Sequence, residues 1–325
     1  MDISSIMLIL FFFIIIYLLW NQLNNQGERS IQALLFNLSV MFMDTRERRQ
    51  KDNFNMLTEL LGSFLNAEHV VLKINKAPAG EEFTEYHWRK ENSKTHENGP
   101  ELILELKEKG EVLGTITVRG TNAVNKLRKQ KSMIASYIGK LVNRFFEDDK
   151  LYYMAYFDQL TKLPNRTYFI KAADEANESA RKSNEMVAYL FFDLDSFKAI
   201  NDKLGHDSGD KLLKAVADRL CLNKSIFSMA ARYGGDEYII MHEHITKVEE
   251  AIVTAEALVK MFEEPFILPG NDISITASVG ISLYPCHGSN IKELLINADK
   301  AMYQSKAIGK NRYDILPVGN ERLCR

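Results

Sequence analysis

The chain has 325 residues, enough for two globular domains with a segment to spare. Its 41 Lys and Arg nearly balance 43 Asp and Glu, so no overall positive field argues for a nucleic-acid partner. The 3 cysteines, Cys221, Cys286 and Cys324, lack pair spacing. That excludes a disulfide framework or a cysteine-based zinc site, predicts three incidental side chains and suits a reducing compartment.

From Ile3 to Trp20 the run ISSIMLILFFFIIIYLLW carries no charge. As a helix it would rise roughly 27 Å, close to the thickness of a bilayer's hydrocarbon core. A cleaved signal peptide would need a basic start and a small-residue cleavage site. Here Asp2 precedes the run and NQLNNQ follows it, so a retained transmembrane helix over 3–20 is the better reading. Arg29, Arg46, Arg48, Arg49 and Lys51 all follow it, and no Lys or Arg precedes it. The positive-inside rule then predicts a single-pass protein of the inner (plasma) membrane, with everything after the anchor in the cytoplasm.

Residues 30–66 mix apolar and charged positions at helical spacing around RERRQK, a run suited to a solvated face beside anionic headgroups. Strand-like stretches follow: HVVLKI at 69–74, ELILELK at 101–107 and VLGTITVRG at 112–120, with Lys109-Gly110 as a hairpin turn. The polar ENSKTHENGP reads as a loop. His69, His87 and His96 stand alone in the pattern and are taken as ordinary packing or surface residues. Helix, meander and helix predict a small α/β sensor module over 30–145, and its EVLGTITV strand is similar to those of GAF domains. From Val124 the period changes to heptads, with Leu127, Ile134 and Leu141 in one set and Val124, Ile138 and Phe145 in the other. Lys131 and Asp148 interrupt that seam. A short coiled coil and a single amphipathic helix closing the module both fit.

A second domain begins near residue 150. MVAYLFFDLD (186–195) is a nearly continuous apolar run ending in acids, which predicts a buried strand with carboxylates at its C-terminal end. An amphipathic helix is predicted over 207–220. FSMAARY and EYIIMHE flank Gly234-Gly235 as a two-residue hairpin. A helix over 247–264, a strand over 273–285 and a helix over 291–310 complete the pattern.

The chemistry gathers around RYGGDEYII (232–240). Two glycines leave the turn without side chains above it, so a ligand can approach the main chain. Asp236 and Glu237 open the outgoing strand, while Asp193 and Asp195 end the apolar one. A lone acidic pair on a hairpin is ordinarily just solvated. Three or four carboxylates converging on one sheet edge instead require cations. Hard divalent ions fit, since Mg²⁺ takes only one or two protein carboxylates and fills its shell with phosphate and water. Two such ions side by side suit in-line attack at phosphorus.

Over roughly residues 150–316 the chain resembles the GGDEF family of diguanylate cyclases. The matching pieces are DQLTKLPNR (158–166), FFDLDSFKAINDKLGHDSGDKLL (191–213), ARYGGDEY (231–238), ASVGIS (277–282) and ADKAMYQSKAIGKNRY (298–313). Five ordered motifs far exceed a single short pattern in specificity. The resemblance implies a palm-like nucleotidyl cyclase fold of the α/β (α+β) class with a central mixed sheet, and condensation of two GTP into cyclic di-GMP with release of two pyrophosphates. It implies two Mg²⁺ per active site, held by Asp193, Asp236 and the Leu194 carbonyl. Asp236 or Glu237 would be the general base on the attacking 3′-hydroxyl, with Asp236 at the family's position for it. Asp195 is given a structural role. Asn201 and Asp210 match the guanine readers, an amide beside a carboxylate that accepts from ring-edge N–H groups. His206 falls between them, at the substrate. Lys198 corresponds to a phosphate-stabilising lysine, and Lys306 and Lys310, four apart on the last helix, would hold the outer phosphates.

Three positions depart from the family pattern. Tyr238 replaces a Phe, with its hydroxyl expected to reach water. Lys310 stands where Arg is common, keeping charge but losing bidentate geometry. Ser225 and Ser228 occupy the places of an RxxD product-inhibition site, so no feedback through that site is expected. No EAL-type hydrolase segment follows residue 316, which disfavours a bifunctional enzyme. The leading expectation is a membrane-anchored cyclase that works as a homodimer, because one site holds one GTP, with the 124–157 helix as a lever set by the sensor module. The alternative is a degenerate domain that binds GTP or cyclic di-GMP as a receptor.

Overall fold

A computed structural model of the chain describes residues 50–75, 84–91, 99–128, 130–268 and 271–317. The span expected at 3–20 lies outside these residues. Among the described residues no helix is long and apolar enough to cross a membrane. The chain divides into two compact units, Met1–Leu151 and Tyr152–Arg325.

In the N-terminal unit, α1 (Gln50–Leu65) is followed by a four-stranded antiparallel sheet of β1 (His69–Ile74), β2 (Thr84–Arg89), β3 (Glu101–Glu108) and β4 (Glu111–Arg119), in the order β2-β1-β4-β3. Strand β2 lies in TEYHWR, where no strand was expected. Thr84, Tyr86 and Trp88 face inward and alternate with exposed Glu85, His87 and Arg89, but no aliphatic residue marks that face in the sequence. The β3–β4 turn falls at Lys109-Gly110, both with positive φ, as a tight hairpin requires. Two helices follow, α2 (Thr121–Arg128) and α3 (Lys131–Tyr156). The heptad seam is used inside the unit: Leu127, Ile134, Ile138 and Phe145 lie in one core with Phe54, Leu57 and Leu61 of α1 and Val70 and Leu72 of β1. The packing is that of a helix closing the module.

The C-terminal unit is built on a mixed five-stranded sheet, ordered β11-β10-β5-β7-β6. Its strands are β5 (Met186–Leu194), β6 (Met229–Gly234), β7 (Glu237–Ile245), β10 (Ala277–Tyr284) and β11 (Arg312–Ile315). Only the β10–β11 pair is parallel. A small ribbon, β8 (Phe266–Leu268) with β9 (Asn271–Ile273), stands apart. Five helices cover the sheet: α4 (Arg166–Ser183), α5 (Phe197–Leu204), α6 (His206–Leu222), α7 (Val248–Met261) and α8 (Ile291–Ala307). Strand β5 takes the centre because it is apolar on both faces. Val187, Tyr189 and Phe191 pack with residues of α4 and α8, while Ala188, Leu190, Phe192 and Leu194 pack with residues of α6 and α7. Each large side chain so buried is worth about 1.5–3 kcal/mol.

Two local features depart from the expected pattern. The β6–β7 turn residues are Gly235 and Asp236, not Gly234 and Gly235; Gly234 ends β6 and pairs with Glu237. A register shift between Arg232 and Gly234 moves the turn along by one, and only Gly235 has positive φ, +54°. Cys286, buried just past β10, is disulfide-bonded, whereas Cys221 is free and exposed. Spacing along the chain does not tell which distant segments a fold brings within bridging distance.

Candidate active site

Strand parity assembles the acidic end of the sheet. Asp193 shares the face of Tyr189 and Phe191, and its partner across the β5–β7 ladder is Glu237. Helix α8 covers this face at close range because residue 280 of β10 is glycine. A Cβ there would lie 2.0 Å from the Ala298 carbonyl oxygen and 2.1 Å from the Met302 nitrogen. So seated, α8 places Lys306 Nζ 2.9 Å from Asp193 Oδ1, in a pair with side chains 30% and 15% exposed. The Leu194 N–H donates to the Asp236 carbonyl oxygen at 3.4 Å, which ties the turn to the end of β5.

The carboxylates sense one another. Burial pushes the Asp193 carboxyl above the ordinary aspartate value; the Lys306 hydrogen bond pulls it back, and the charges of Asp236 and Asp195 push it further up. Glu237 is likewise raised by burial, then by Asp193, Asp299 and Asp236, against Lys306. Negative charge so concentrated favours a cation in addition to the lysine. Among the described residues no three His, Cys, Asp or Glu side chains form a ready-made metal cage. The donor set, with the Asp236 turn tied to the residue after Asp193, suits an ion that needs one or two protein carboxylates and takes phosphate oxygens for the rest.

Asp195 plays a different part. It is buried, and its carboxylate accepts from Thr276 Oγ1 at 2.6 Å, Ser278 Oγ at 2.7 Å and the Asn311 N–H at 3.1 Å. It thus joins the end of β5 to the start of β10 and to the segment after α8.

That segment corrects the placement of Lys310. Helix α8 ends at Ala307, and Gly309, Lys310 and Asn311 have φ of +129°, +63° and +47°. Lys310 is therefore not one helical turn beyond Lys306; glycine past the helix end lets the chain hook back. Its Nζ donates to Ser196 Oγ at 3.0 Å. The two ammonium groups still reach neighbouring points, Asp193 and Ser196, but from different elements.

The glycine turn is open above and clamped from the side. A Cβ on Gly234 or Gly235 would meet nothing within 4 Å. Arg232 Nε and Nη2 donate to the Gly235 carbonyl oxygen at 2.9 and 2.7 Å, and Nη1 donates to Asp158 Oδ1 at 2.9 Å. Asp158 also accepts from the Thr161 N–H at 2.8 Å and Oγ1 at 2.7 Å. Sequence reasoning gave Arg232, Asp158 and Asp299 no role. All three lie in quoted motifs, but nothing local pairs residues so far apart in the chain.

The helical pair α5–α6 carries the remaining candidates. Lys198, in the first turn of α5, is exposed, as are His206 and Asp210 in the first turns of α6. Among the described residues Lys198 forms no ion pair with the site's acids. Asn201 is half-buried, and its Oδ1 is enclosed without a hydrogen-bond partner. Tyr238, fully buried on β7, stacks on Phe192 and donates to the Leu213 carbonyl oxygen of α6 at 3.0 Å. Its hydroxyl does not reach water: parity turns residue 238 into the α6 side of the core, and a buried hydroxyl takes a protein acceptor.

Comparison with known proteins places this site in context. Residues 155–312 match the family model described as "Diguanylate cyclase, GGDEF domain". The chain is 40% identical over 187 residues to the cyclic di-GMP phosphodiesterase NbdA of Pseudomonas aeruginosa, covering 57% of this chain and 24% of that protein. It is 33% identical over 180 residues to the diguanylate cyclase TpbB of the same species, covering 55% of this chain and 41% of that one. The chain thus spans less than half the length of these curated relatives. Among solved structures it is similar to the coiled coil and GGDEF domain of DgcB from Caulobacter crescentus in complex with c-di-GMP. There the TM-score is 0.50 and the identity 25%, with 57% of this chain and 98% of that one covered.

Proposed function

We propose, from the match of residues 155–312 to the GGDEF family model, that this chain is an enzyme, a diguanylate cyclase that condenses two GTP into cyclic di-GMP and releases two pyrophosphates. The observation that carries the reading is the pairing of Asp193 with Glu237 at one end of the sheet, where the Leu194 N–H meets the Asp236 carbonyl, with Lys306 on Asp193 and an uncovered glycine turn beside them.

In this reading Asp193, Asp236 and the Leu194 carbonyl would hold two Mg²⁺. When bound, the ions neutralise phosphate charge and favour in-line displacement at the α-phosphorus. Asp236 or Glu237 takes the proton of the attacking 3′-hydroxyl as the new P–O bond forms and pyrophosphate leaves. Lys306 and Lys310 hold the outer phosphates at the end of β5, and Lys198 adds positive charge from α5. The main chain at Gly234 and Gly235 admits the triphosphate closely. Asn201 and Asp210 read guanine, with His206 beside them. One site holds one GTP, so two copies of the chain act as a homodimer, each 3′-hydroxyl meeting the other's α-phosphate.

The reading extends to the rest of the chain as follows. Residues 3–20 anchor it in the inner membrane, with a GAF-like sensor module over 30–145 and the catalytic domain over 150–316 in the cytoplasm. The structure divides the expected 124–157 helix into α2 and α3, and the longer, α3, passes the sensor's state to the catalytic domain. With Ser225 and Ser228 in place of Arg and Asp, product does not feed back through that position.

Incubation of the full-length chain with GTP and Mg²⁺ tests the proposal. Cyclic di-GMP forms with wild type and is abolished in Asp236→Ala. Tight nucleotide binding without turnover in the wild type would instead mark a receptor.

A further inference from the structure

The enclosed Asn201 oxygen lies directly against Gly209, one residue before Asp210. A Cβ built on Gly209 would fall 1.9 Å from Asn201 Oδ1, 3.0 Å from its Cγ and 3.2 Å from Phe197 Cζ. Gly209 is buried and sits inside α6, without the positive φ that would demand glycine for the backbone. By helix propensity alone alanine is the better residue there. The glycine therefore answers to its neighbour. That neighbour is the tip of a flexible side chain, so a methyl could be accommodated by swinging the amide away, at little cost to the fold.

We infer that Gly209 is a specificity-determining residue: its missing side chain is the space in which the Asn201 amide is held, beside Asp210, for base recognition. The inference rests on the proposed guanine-reading role of this pair. Three observations support it: the 1.9 Å approach, the absence of any backbone need for glycine, and an enclosed acceptor with no partner of its own. A buried polar atom left unpaired is costly, and such atoms ordinarily find a partner. An oxygen enclosed so fully has no room for a water or a base, so within this reading it is the position of the amide, set by the space over Gly209, that serves recognition.

The test compares GTP and ATP binding to full-length wild type, Gly209→Ala, Asn201→Ala and the double variant, with a melting curve for each. Gly209→Ala is expected to keep or raise the melting temperature, lose at least tenfold in GTP affinity and change less than twofold toward ATP. The double variant should bind GTP no more weakly than Asn201→Ala, because the amide has already been removed. It also relieves the crowding, so it gives a folded comparison should Gly209→Ala not fold. A wild type that binds GTP and ATP alike defeats the underlying reading of the pocket. A wild type that prefers GTP, paired with a Gly209→Ala chain that prefers it equally, defeats the role of Gly209 alone.

Discussion

Arg232 holds a turn and a loop with one guanidinium: Nη1 donates to Asp158 Oδ1, while Nε and Nη2 both donate to the Gly235 carbonyl oxygen. The position of the glycine turn, and so of Asp236, is thereby fixed against the 157–165 segment. A lysine cannot make this fork. Arg232→Lys should lower cyclic di-GMP production at least tenfold and cost about 1.5–3 kcal/mol of stability, the range for hydrogen bonds to charged groups. Initial rates and urea melts check both.

The same latch has a pH signature. Burial alone would raise the Asp158 carboxyl, but the Thr161 hydroxyl and N–H and the Arg232 guanidinium outweigh it, and the group lies below its ordinary value. An acid depressed by folding stabilises the native state fully above its unfolded pKa, roughly 3.9. That contribution is lost as pH falls through the lower, folded value. Wild type should therefore lose stability below about pH 4 by more than Asp158→Asn does. Parallel acid titrations followed by circular dichroism would sink the idea if the two curves coincide.

Asp195→Ala removes the acceptor of two hydroxyls and the Asn311 N–H. Each donor left unpaired in the interior costs about 1–3 kcal/mol. Because Asn311 follows Lys310, the variant should also bind GTP more weakly at temperatures where it remains folded. Asp195→Asn, which keeps one acceptor oxygen, should fall between the two.

Gly280→Ala forces α8 away from β10, since the added methyl meets main-chain atoms and not a yielding side chain. Overpacking of this kind costs about 1–3 kcal/mol, occasionally more. The helix carries Lys306, so activity measured well below the melting temperature should fall too. A variant as active as wild type would refute the seating of α8 as the cause of the Lys306–Asp193 pair.

Tyr238→Phe leaves the Leu213 carbonyl with one partner fewer. A loss of about 0.5–1.5 kcal/mol is expected, with turnover within a few-fold of wild type, because the hydroxyl points away from the acids. Chemical denaturation and steady-state assays separate the two effects.

The central strand was legible in the sequence because β5 is apolar on both faces, a signal that needs no knowledge of its neighbours. The acids at its end were legible for the same reason: polarity that interrupts such a run stands out. Strand β2 was not, since its inward face is carried by Thr84, Tyr86 and Trp88, with no aliphatic residue among the charges to mark it. The hairpin was found but set one residue too early, because two glycines look alike until a register shift decides which of them turns. Lys310 was placed on the helix by its spacing, though Gly309 had already released the chain. The Asp158–Arg232 and Asp195–Asn311 contacts join residues distant in sequence, and only the folded topology brings them together.

The empty space over Gly234 separates two demands that proteins usually meet together. The backbone there is ordinary and a methyl would touch nothing, so the architecture would accept alanine as readily as glycine. Under the proposed function the triphosphate would not, because it would lie against bare main chain. On that proposal a single small substitution silences the chemistry while leaving a soundly folded domain behind.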